Sequence, residues 1–325
     1  MSTINDGYDL NRPVPCRILA RTGLRVSCLS FGGGPVSGLM TGDKFESQVQ
    51  TMETLIRRGI NWIDTAAGYG NGLSETSIGR ILAGLPEEVR DQIHVATKVR
   101  IDFNLTNSVS DQVRVGLEAS LKRLRLPKVS VLQLHNSITA TRGDQPNSVS
   151  VSDVLDSGGI LDALKSMQRE KQTDFIGLTG TGMAESMRSV VRTGEFDTIQ
   201  VPYNLLNPSA GCEVAQDFPE QNYGNILNDC LKASMGCFAI RVFAGGALLG
   251  QPPSHHTLRT PYFPLDLYRR DMNRAATCNS GGTSLAPKAV EFALSHPAIH
   301  SAIIGFGAPS HVSEAVRALS DRSHR

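Results

Sequence analysis

Three apolar, strand-like runs in this chain end in an ionisable residue. Asp64 closes Ile60-Asn61-Trp62-Ile63-Asp64, Lys98 closes His94-Val95-Ala96-Thr97-Lys98, and His135 closes Val131-Leu132-Gln133-Leu134-His135. A fourth group, the phenol of Tyr69, stands in the small, glycine-rich stretch from Thr65 to Asn71, just past the first of these ends. A free tyrosine titrates at about 10, too high for easy proton exchange at neutral pH. A neighbouring ammonium favours the phenolate and is expected to make the hydroxyl a better acid, while a carboxylate beside the lysine keeps it charged and in place. A histidine N–H can share an oxygen that gains negative charge. Together the four suit carbonyl reduction or alcohol oxidation, in which hydride moves at carbon and a proton at oxygen, with a cofactor supplying the hydride. Singly, each has an ordinary reading: Asp64 as a loop cap, Tyr69 as a surface aromatic, Lys98 as a solvated residue leading into Val99-Arg100, His135 as a structural histidine. Their conjunction carries the argument.

The ends converge only if their strands are neighbours, about 4.8 Å apart. After a polar lead, Arg17-Ile18-Leu19 and Arg25-Val26-Ser27 flank Thr22-Gly23, which is a hairpin signal. Leu29 to Gly32 then reads as a first strand, and helix and strand patterns alternate to the end of the chain. The periodicity predicts helix 45–58 and strand 60–64, helix 73–84 and strand 93–98, helix 109–124 and strand 129–135. Helix 153–170 and strand 173–179, helix 183–193 and strand 197–202, helix 220–235 and strand 237–243 follow. Helix 283–295, strand 299–304 and helix 309–319 close the series, with loops over 137–151 and 245–282. Alternation places Ile60, Trp62 and Asp64 on one face, Trp62 as barrel packing, and Ser74 or Asn71 as the N-cap of helix 73–84. Leu73, Ser77, Ile78 and Ile81 supply that helix's near-helical spacing.

Eight strand–helix repeats with no shift in composition argue for one parallel sheet, and their length suits a closed (β/α)8 barrel spanning residues 1–325 as a single domain. An open doubly wound sheet is the alternative, but a dinucleotide fold of that kind wants G-x-G-x-x-G after its first strand. Gly32-Gly33-Gly34-Pro35 lacks that spacing and puts proline in the cradle. The barrel is therefore preferred, with the hairpin covering its bottom and the chemistry at the carboxyl ends of the strands.

The 32 basic and 31 acidic residues leave a net charge of +1, so nothing argues for a nucleic-acid footprint or an acidic partner. The polar start, MSTINDGYDLNRPVP, is not expected to be a signal peptide or anchor, and no apolar run approaches a membrane span. Cys16, Cys28, Cys212, Cys230, Cys237 and Cys278 show neither CxxC nor metal-ligand spacing, so the expectation is reduced thiols in a cytoplasmic protein with no metal.

The residues Asn61-Trp62-Ile63-Asp64-Thr65-Ala66-Ala67-Gly68-Tyr69-Gly70 with Ser74-Glu75, then Val95-Ala96-Thr97-Lys98, Leu132-Gln133-Leu134-His135-Asn136, Ile176-Gly177-Leu178, Ile199 to Asn204 and Ile303-Ile304-Gly305, resemble the aldo-keto reductases in sequence and order. The resemblance runs from about Arg17 to Leu319. It implies a (β/α)8 barrel that binds NADP or NAD across its mouth and acts on a small carbonyl or sugar substrate. Asp64, Tyr69, Lys98 and His135 match the family's catalytic four, with Tyr69 the acid or base. The cofactor-binding set it implies is Gly32, Gly33, Asp64, Thr179, Gln200, Arg241, Gly305, Gly307, Ser310 and His311.

The departures from the family pattern are specific. Thr179-Gly180 replaces the Ser-Asn that often holds the carboxamide, and Arg241 to Gly246 replaces the usual run after the seventh strand, offering Arg241 to a phosphate or to substrate. Gly305, His311 and Ala315 stand where many NADPH-preferring relatives carry lysine, arginine and asparagine. Weak discrimination between the two dinucleotides is therefore expected, because a neutral histidine lacks the permanent charge and fixed donor fork of arginine. The chain also ends soon after its last expected barrel helix, so the C-terminal loop that shapes the pocket in some members is not expected. A regulatory subunit that binds cofactor with little turnover is the alternative function, and intact Asp64, Tyr69, Lys98 and His135 argue against it. A phosphate-binding lyase barrel would use the glycines at 245–246 and 305–307. His255-His256 and Tyr262-Phe263 read as ordinary loop residues.

Overall fold

The computed structural model describes residues 13–259, 265–278 and 284–320. Strands β1 (Cys16–Ile18) and β2 (Arg25–Ser27) form the antiparallel hairpin. The barrel strands are β3 (Leu29–Gly32), β4 (Trp62–Asp64), β5 (His94–Val99), β6 (Val129–Leu134), β9 (Thr173–Thr179), β10 (Thr198–Pro202), β11 (Gly236–Ile240) and β12 (Ile299–Ile304). All are paired in parallel and close on themselves through β12–β3. A short parallel pair, β7 (Ile138–Thr139) and β8 (Val149–Ser150), lies within the segment read as a polar loop. The helices are α1 (Phe45–Arg57), α2 (Leu73–Ala83), α3 (Glu87–Arg90), α4 (Val109–Leu124), α5 (Val151–Leu155), α6 (Ile160–Arg169), α7 (Ala184–Arg192), α8 (Ile226–Lys232), α9 (Leu265–Cys278), α10 (Ala286–Ser295) and α11 (Pro309–Ser320).

The apolar residues divide between two cores because strand residues alternate between the helix layer and the barrel interior. The large outer core packs strands against helices; the inner one joins Trp62, Ala96, Val131, Phe238 and Ile303 to Leu19 and Val26 of the hairpin. The hairpin thus plugs the barrel from below, with Leu19 seated against Gly236 where a Cβ would come within 2.7 Å of it. Trp62 is fully enclosed and meets Phe238 at a ring separation of 4.5 Å, the packing role expected of it. Ile60, in contrast, belongs to the outer core, so the expected shared face extends only from Trp62 to Asp64. The reason is Asn61, whose side chain accepts from Ser27 N at 2.8 Å and donates to Arg25 O at 2.8 Å, so that barrel pairing begins one residue later.

Three predicted elements differ in ways that have local causes. Helix 153–170 is two helices, parted at Ser157-Gly158-Gly159 where Gly158 takes φ 76°. The helix expected from 220 starts at Ile226, after Asn225 in the left-handed region, and Glu220 instead pairs with Arg270 and Arg274 of α9. The segment 245–282, read as loop, contains α9 itself. That helix is tied down by those two arginines, of which Arg274 also donates to Leu206 O at 2.6 Å. Tyr262 and Phe263 lie outside the described residues, while His255 is exposed and His256 half-buried.

Helix α2, which follows the Tyr69 loop, is held by close backbone packing on α4. Its N-cap is Gly72, without a side-chain cap, and not Ser74 or Asn71. Leu73 is 53% exposed, and the inward face runs through Ser74, Glu75, Ile78, Ile81 and Leu82. At Gly79 an added Cβ would overlap the carbonyl of Arg123 and lie 2.8 Å from Leu124 Cα. In an exposed helix Gly→Ala stabilises by about 1 kcal/mol. Here the sign should reverse, because the obstacle is backbone that no rotamer change can relieve. Gly79→Ala is expected to destabilise the fold by about 3 kcal/mol, the upper range for overpacking. Urea unfolding of the variant checks this, and a midpoint at or above that of the parent would contradict it.

Candidate active site

Lys98 is the centre of the site, and every N–H of its ammonium has a partner. Its Nζ donates to Asp64 Oδ2 at 2.6 Å, to the Thr65 carbonyl at 2.8 Å and to Tyr69 Oη at 3.1 Å. An ammonium has three donors and no acceptor, so the contact with Tyr69 runs from nitrogen to oxygen only. The phenol's own proton is consequently left for a group other than Lys98.

The carboxylate of Asp64 is held on both oxygens. Gln133 Nε2 donates to Oδ1 at 3.2 Å, and Gln200 Nε2 donates to the same oxygen. Asp64, Lys98, Gln133 and Gln200 are all at most 3% exposed. Burial works against the charge of Lys98, but Asp64 and Tyr69 outweigh it and lift the lysine above its usual range. The ammonium therefore persists at neutral pH.

Tyr69 departs from the expected direction. Burial pushes its phenol up more than Lys98 pulls it down, and the charge of Asp64 adds to the rise. The ammonium alone would make the hydroxyl more acidic, but burial outweighs it and the carboxylate 2.6 Å from the ammonium opposes it. The ring stays partly exposed at the barrel mouth, which moderates the burial effect. At neutral pH the group is a neutral phenol. His135, just past β6, meets the Tyr69 ring edge-on with centroids 5.8 Å apart. Burial, then Lys98 and Arg100, hold it well below the usual histidine range, so it is neutral.

The Tyr69 loop owes its shape to three consecutive left-handed residues, Gly70 (φ 60°), Asn71 (φ 52°) and Gly72 (φ 88°). Glycine at two of the three keeps that curl inexpensive. Ser74, the second residue of α2, shares a hydrogen bond with Thr65 Oγ1 at 2.9 Å and donates to Gly33 O at 2.8 Å. Glu75 is completely buried, accepts from Thr97, and pairs with Arg123 at 2.7 Å. These contacts clamp the loop to β3 and β5 on either side.

The remaining sequence-derived candidates fall into three groups. Gly32 and Gly33 pack tightly: a Cβ at 33 would lie 2.7 Å from Ser74 Oγ and 3.2 Å from Asp64 O, which accounts for glycine there. Thr179 donates its hydroxyl to Leu134 O at 2.8 Å. Its neighbour Gly180 bonds Gln200 O, where a Cβ would lie 2.7 Å from that oxygen, so this backbone has no room for an asparagine. Arg241 has its guanidinium 3.7 Å from Asp271 of α9. Burial pushes Tyr223 beside it up to about 12, with Arg241 opposing. Gly305 lies against Ser37, and Gly307 N donates to His311 Nδ1 at 3.2 Å, folding that ring onto its own loop; Ser310 and His311 are exposed at the start of α11. Among the described residues Ser37 Oγ is buried without a hydrogen-bond partner.

Sequence reasoning missed Gln133 and Ser37. A glutamine inside an otherwise apolar strand, on the inward parity two residues before His135, was the available signal for the first. Ser37 carried none.

The profile of the aldo/keto reductase family matches residues 29–323. The chain is 28% identical to L-galactose dehydrogenase of Arabidopsis thaliana over 309 residues, covering 95% of this chain and 89% of that one. It is 25% identical to D-threo-aldose 1-dehydrogenase of a Pseudomonas species, covering 91% and 90%. A holo structure of an aldo-keto reductase from Bacillus halodurans superposes with a TM-score of 0.68 at 18% identity, over 94% of this chain and 91% of that one, a likeness of fold. Among the described residues no helix is long and apolar enough to cross a membrane. With the profile matching nearly the whole chain and the barrel closed in eight parallel strands, this protein belongs to the aldo/keto reductase family of NAD(P)-dependent oxidoreductases.

Proposed function

We propose that this enzyme interconverts the carbonyl group of an aldehyde, ketone or sugar with the alcohol form, or a sugar lactone with its hemiacetal, and that Tyr69 is the proton donor or acceptor at the substrate oxygen. The observation that carries the reading is the direction of the Lys98–Tyr69 hydrogen bond. It occupies the phenol oxygen as acceptor and leaves its proton for the substrate. When bound, the nicotinamide dinucleotide supplies or accepts the hydride at the substrate carbon. In reduction Tyr69 gives its proton to the oxygen as negative charge builds there, and Lys98 stabilises the phenolate left behind. Neutral His135 offers an N–H to the same oxygen. Asp64, saturated by Lys98 and two glutamines, holds the lysine in place. The two relatives are named for sugar dehydrogenation, which supports a polyhydroxy substrate class.

The residues present fit a dinucleotide. Ser37 Oγ is a buried oxygen in want of a partner beside Gly305, and the Gly305–Gly307 loop leads into α11, whose first turn carries Ser310 and His311. A helix start of this kind favours negative charge. Gly32, Gly33, Thr179, Gln200 and Arg241 complete the proposed set, although Gln200 and Arg241 are already engaged with Asp64 and Asp271. No fixed guanidinium stands at 305, 311 or 315, and the carboxylate beside Arg241 offsets its charge. Discrimination between NADP(H) and NAD(H) should therefore be small.

Three outcomes follow from this assignment. Tyr69→Phe should lower kcat/KM by about 10²–10⁴-fold while dinucleotide affinity, read by fluorescence titration, stays near that of the parent. A parental rate in this variant would remove Tyr69 from the proton transfer. Because burial keeps Tyr69 protonated and His135 neutral, reductive kcat/KM should be flat from about pH 6 to 9, whereas alcohol oxidation should climb with pH as the phenolate becomes accessible. A reductive rate that falls through neutrality would show a different acid at work. Finally, kcat/KM measured with both dinucleotides should differ by less than about a hundredfold, or about 2.7 kcal/mol; a larger preference for NADP(H) means that another residue binds the 2′-phosphate.

A further inference from the structure

Side-chain layers inside a parallel barrel are ordinarily filled by branched aliphatic residues, four to a layer from alternate strands. The layer that holds Asp64 departs from this. Asp64 is in register, through Ala96, with Val131, two residues before Gln133. Gln133 is in register, through Gly177, with Thr198, two residues before Gln200. Gln200 is in register, through Phe238, with Ser301, two residues before Ile303. The stagger of a closed eight-stranded barrel averages about one residue per strand, so Asp64, Gln133, Gln200 and Ile303 stand level. Three of the four are polar, and all are buried.

The two amides complete what Lys98 leaves undone. Lys98 holds Asp64 Oδ2 at 2.6 Å, but the last torsion of an aspartate is broad, and one ligand does not fix the plane of the carboxylate. Among the described residues, Oδ1 takes its donors from Gln133 Nε2, at 3.2 Å, and from Gln200 Nε2. A buried acceptor stripped of donors carries its full desolvation cost, so the carboxylate would turn to find new ones and take the ammonium with it. Lys98 Nζ would then leave its place 3.1 Å from Tyr69 Oη. The two glutamines differ in their setting. Gln200 stands in the set proposed for the dinucleotide. Gln133 is 1% exposed, in direct register with Lys98 and two residues before His135. Glycine on the next strand gives it room, since a Cβ at Gly177 would stand 3.1 Å from Gln133 Cγ and overlap Thr198 Oγ1.

We propose that Gln133 is a positioning residue of the reaction: by donating to Asp64 Oδ1 it fixes the carboxylate plane, and through it the Lys98 N–H that is aimed at Tyr69 Oη. Gln133 touches neither the reacting oxygen nor the proton. The proposal rests on the reading of Tyr69 as proton donor and adds the group that sets its geometry.

Reduction of an aldehyde by Gln133→Met and Gln133→Glu tests it. Methionine keeps the length of the side chain and removes both N–H donors; Gln133→Leu is the second donor-free variant should methionine not fold. Glutamate buried beside Asp64 holds its proton, because two adjacent carboxyls do not readily ionise together, and its O–H replaces the lost N–H. Gln133→Met should lower kcat by about tenfold or more with KM within about threefold of the parent, the loss expected for one hydrogen bond to a charged group. Gln133→Glu at pH 6 should recover most of that loss, and the recovery should not grow toward pH 9, since only the neutral carboxyl can donate. Dinucleotide affinity, read by fluorescence titration, should stay within about threefold of the parent in both variants. Parental kcat in Gln133→Met overturns the proposal, as does a Gln133→Glu variant no better than Gln133→Met at pH 6 or better at pH 9 than at pH 6. A loss of dinucleotide affinity equal to the loss in kcat also overturns it, because Gln133 would then merely support the mouth as a whole. Failure of the Tyr69 reading is seen separately, in a parental rate for Tyr69→Phe.

Discussion

A single buried ammonium organises the mouth of this barrel. Lys98 would be costly to enclose alone, since a desolvated charge loses several kcal/mol of hydration even after the protein relaxes. Its three protons each meet an oxygen, and the carboxylate that balances it is held by two further amides. A buried pair of this kind is weak evidence for stability, because apolar residues of similar size often serve as well. Its consequence is geometric. With Lys98 saturated, the position of Tyr69 Oη and the direction of its hydrogen bond are both determined.

The loop and helix around this cluster serve that constraint. Three left-handed residues curl the chain after Tyr69, and Ser74 and Glu75 fasten the start of α2 to β3, β5 and α4. Glu75 is a second buried charge, again paired and hydrogen-bonded. Two buried acids on neighbouring elements, each with its own cation, tie the position of the phenol to the packing of α2 on α4. A disturbance at that helix contact should therefore reach the mouth through the backbone, without touching any group in the site.

Burial also decides how the mouth responds to pH. It raises Tyr69 and lowers His135, so that both are uncharged at neutrality while Lys98 stays cationic. In sequence these look like four charges to be assigned, and the ammonium looks like an agent that acidifies the phenol. Enclosure changes the balance, because a low-dielectric setting penalises every charged form except the pair that compensates itself. The opposing pull of Asp64 on Tyr69 belongs to the same balance, and it depends on distances that composition does not reveal.

The sequence alone determined the barrel, the order of its strands, the hairpin beneath it and the strand-end positions of Asp64, Lys98 and His135, because a two-residue alternation and a helical repeat are local signals. It also placed Tyr69 in a loop between β4 and α2. Only the tertiary structure decided what those groups touch. Gln133 and Gln200 meet on one oxygen of Asp64 from strands that are far apart in the chain. Helix α9 is anchored by Glu220 across fifty residues or more, and the left-handed backbone before α2 took the capping position from Ser74 and freed its hydroxyl for Gly33. Periodicity reports which face of an element is buried, whereas hydrogen-bond partners across a closed barrel depend on strand register and side-chain reach, and those exist only once the sheet has closed.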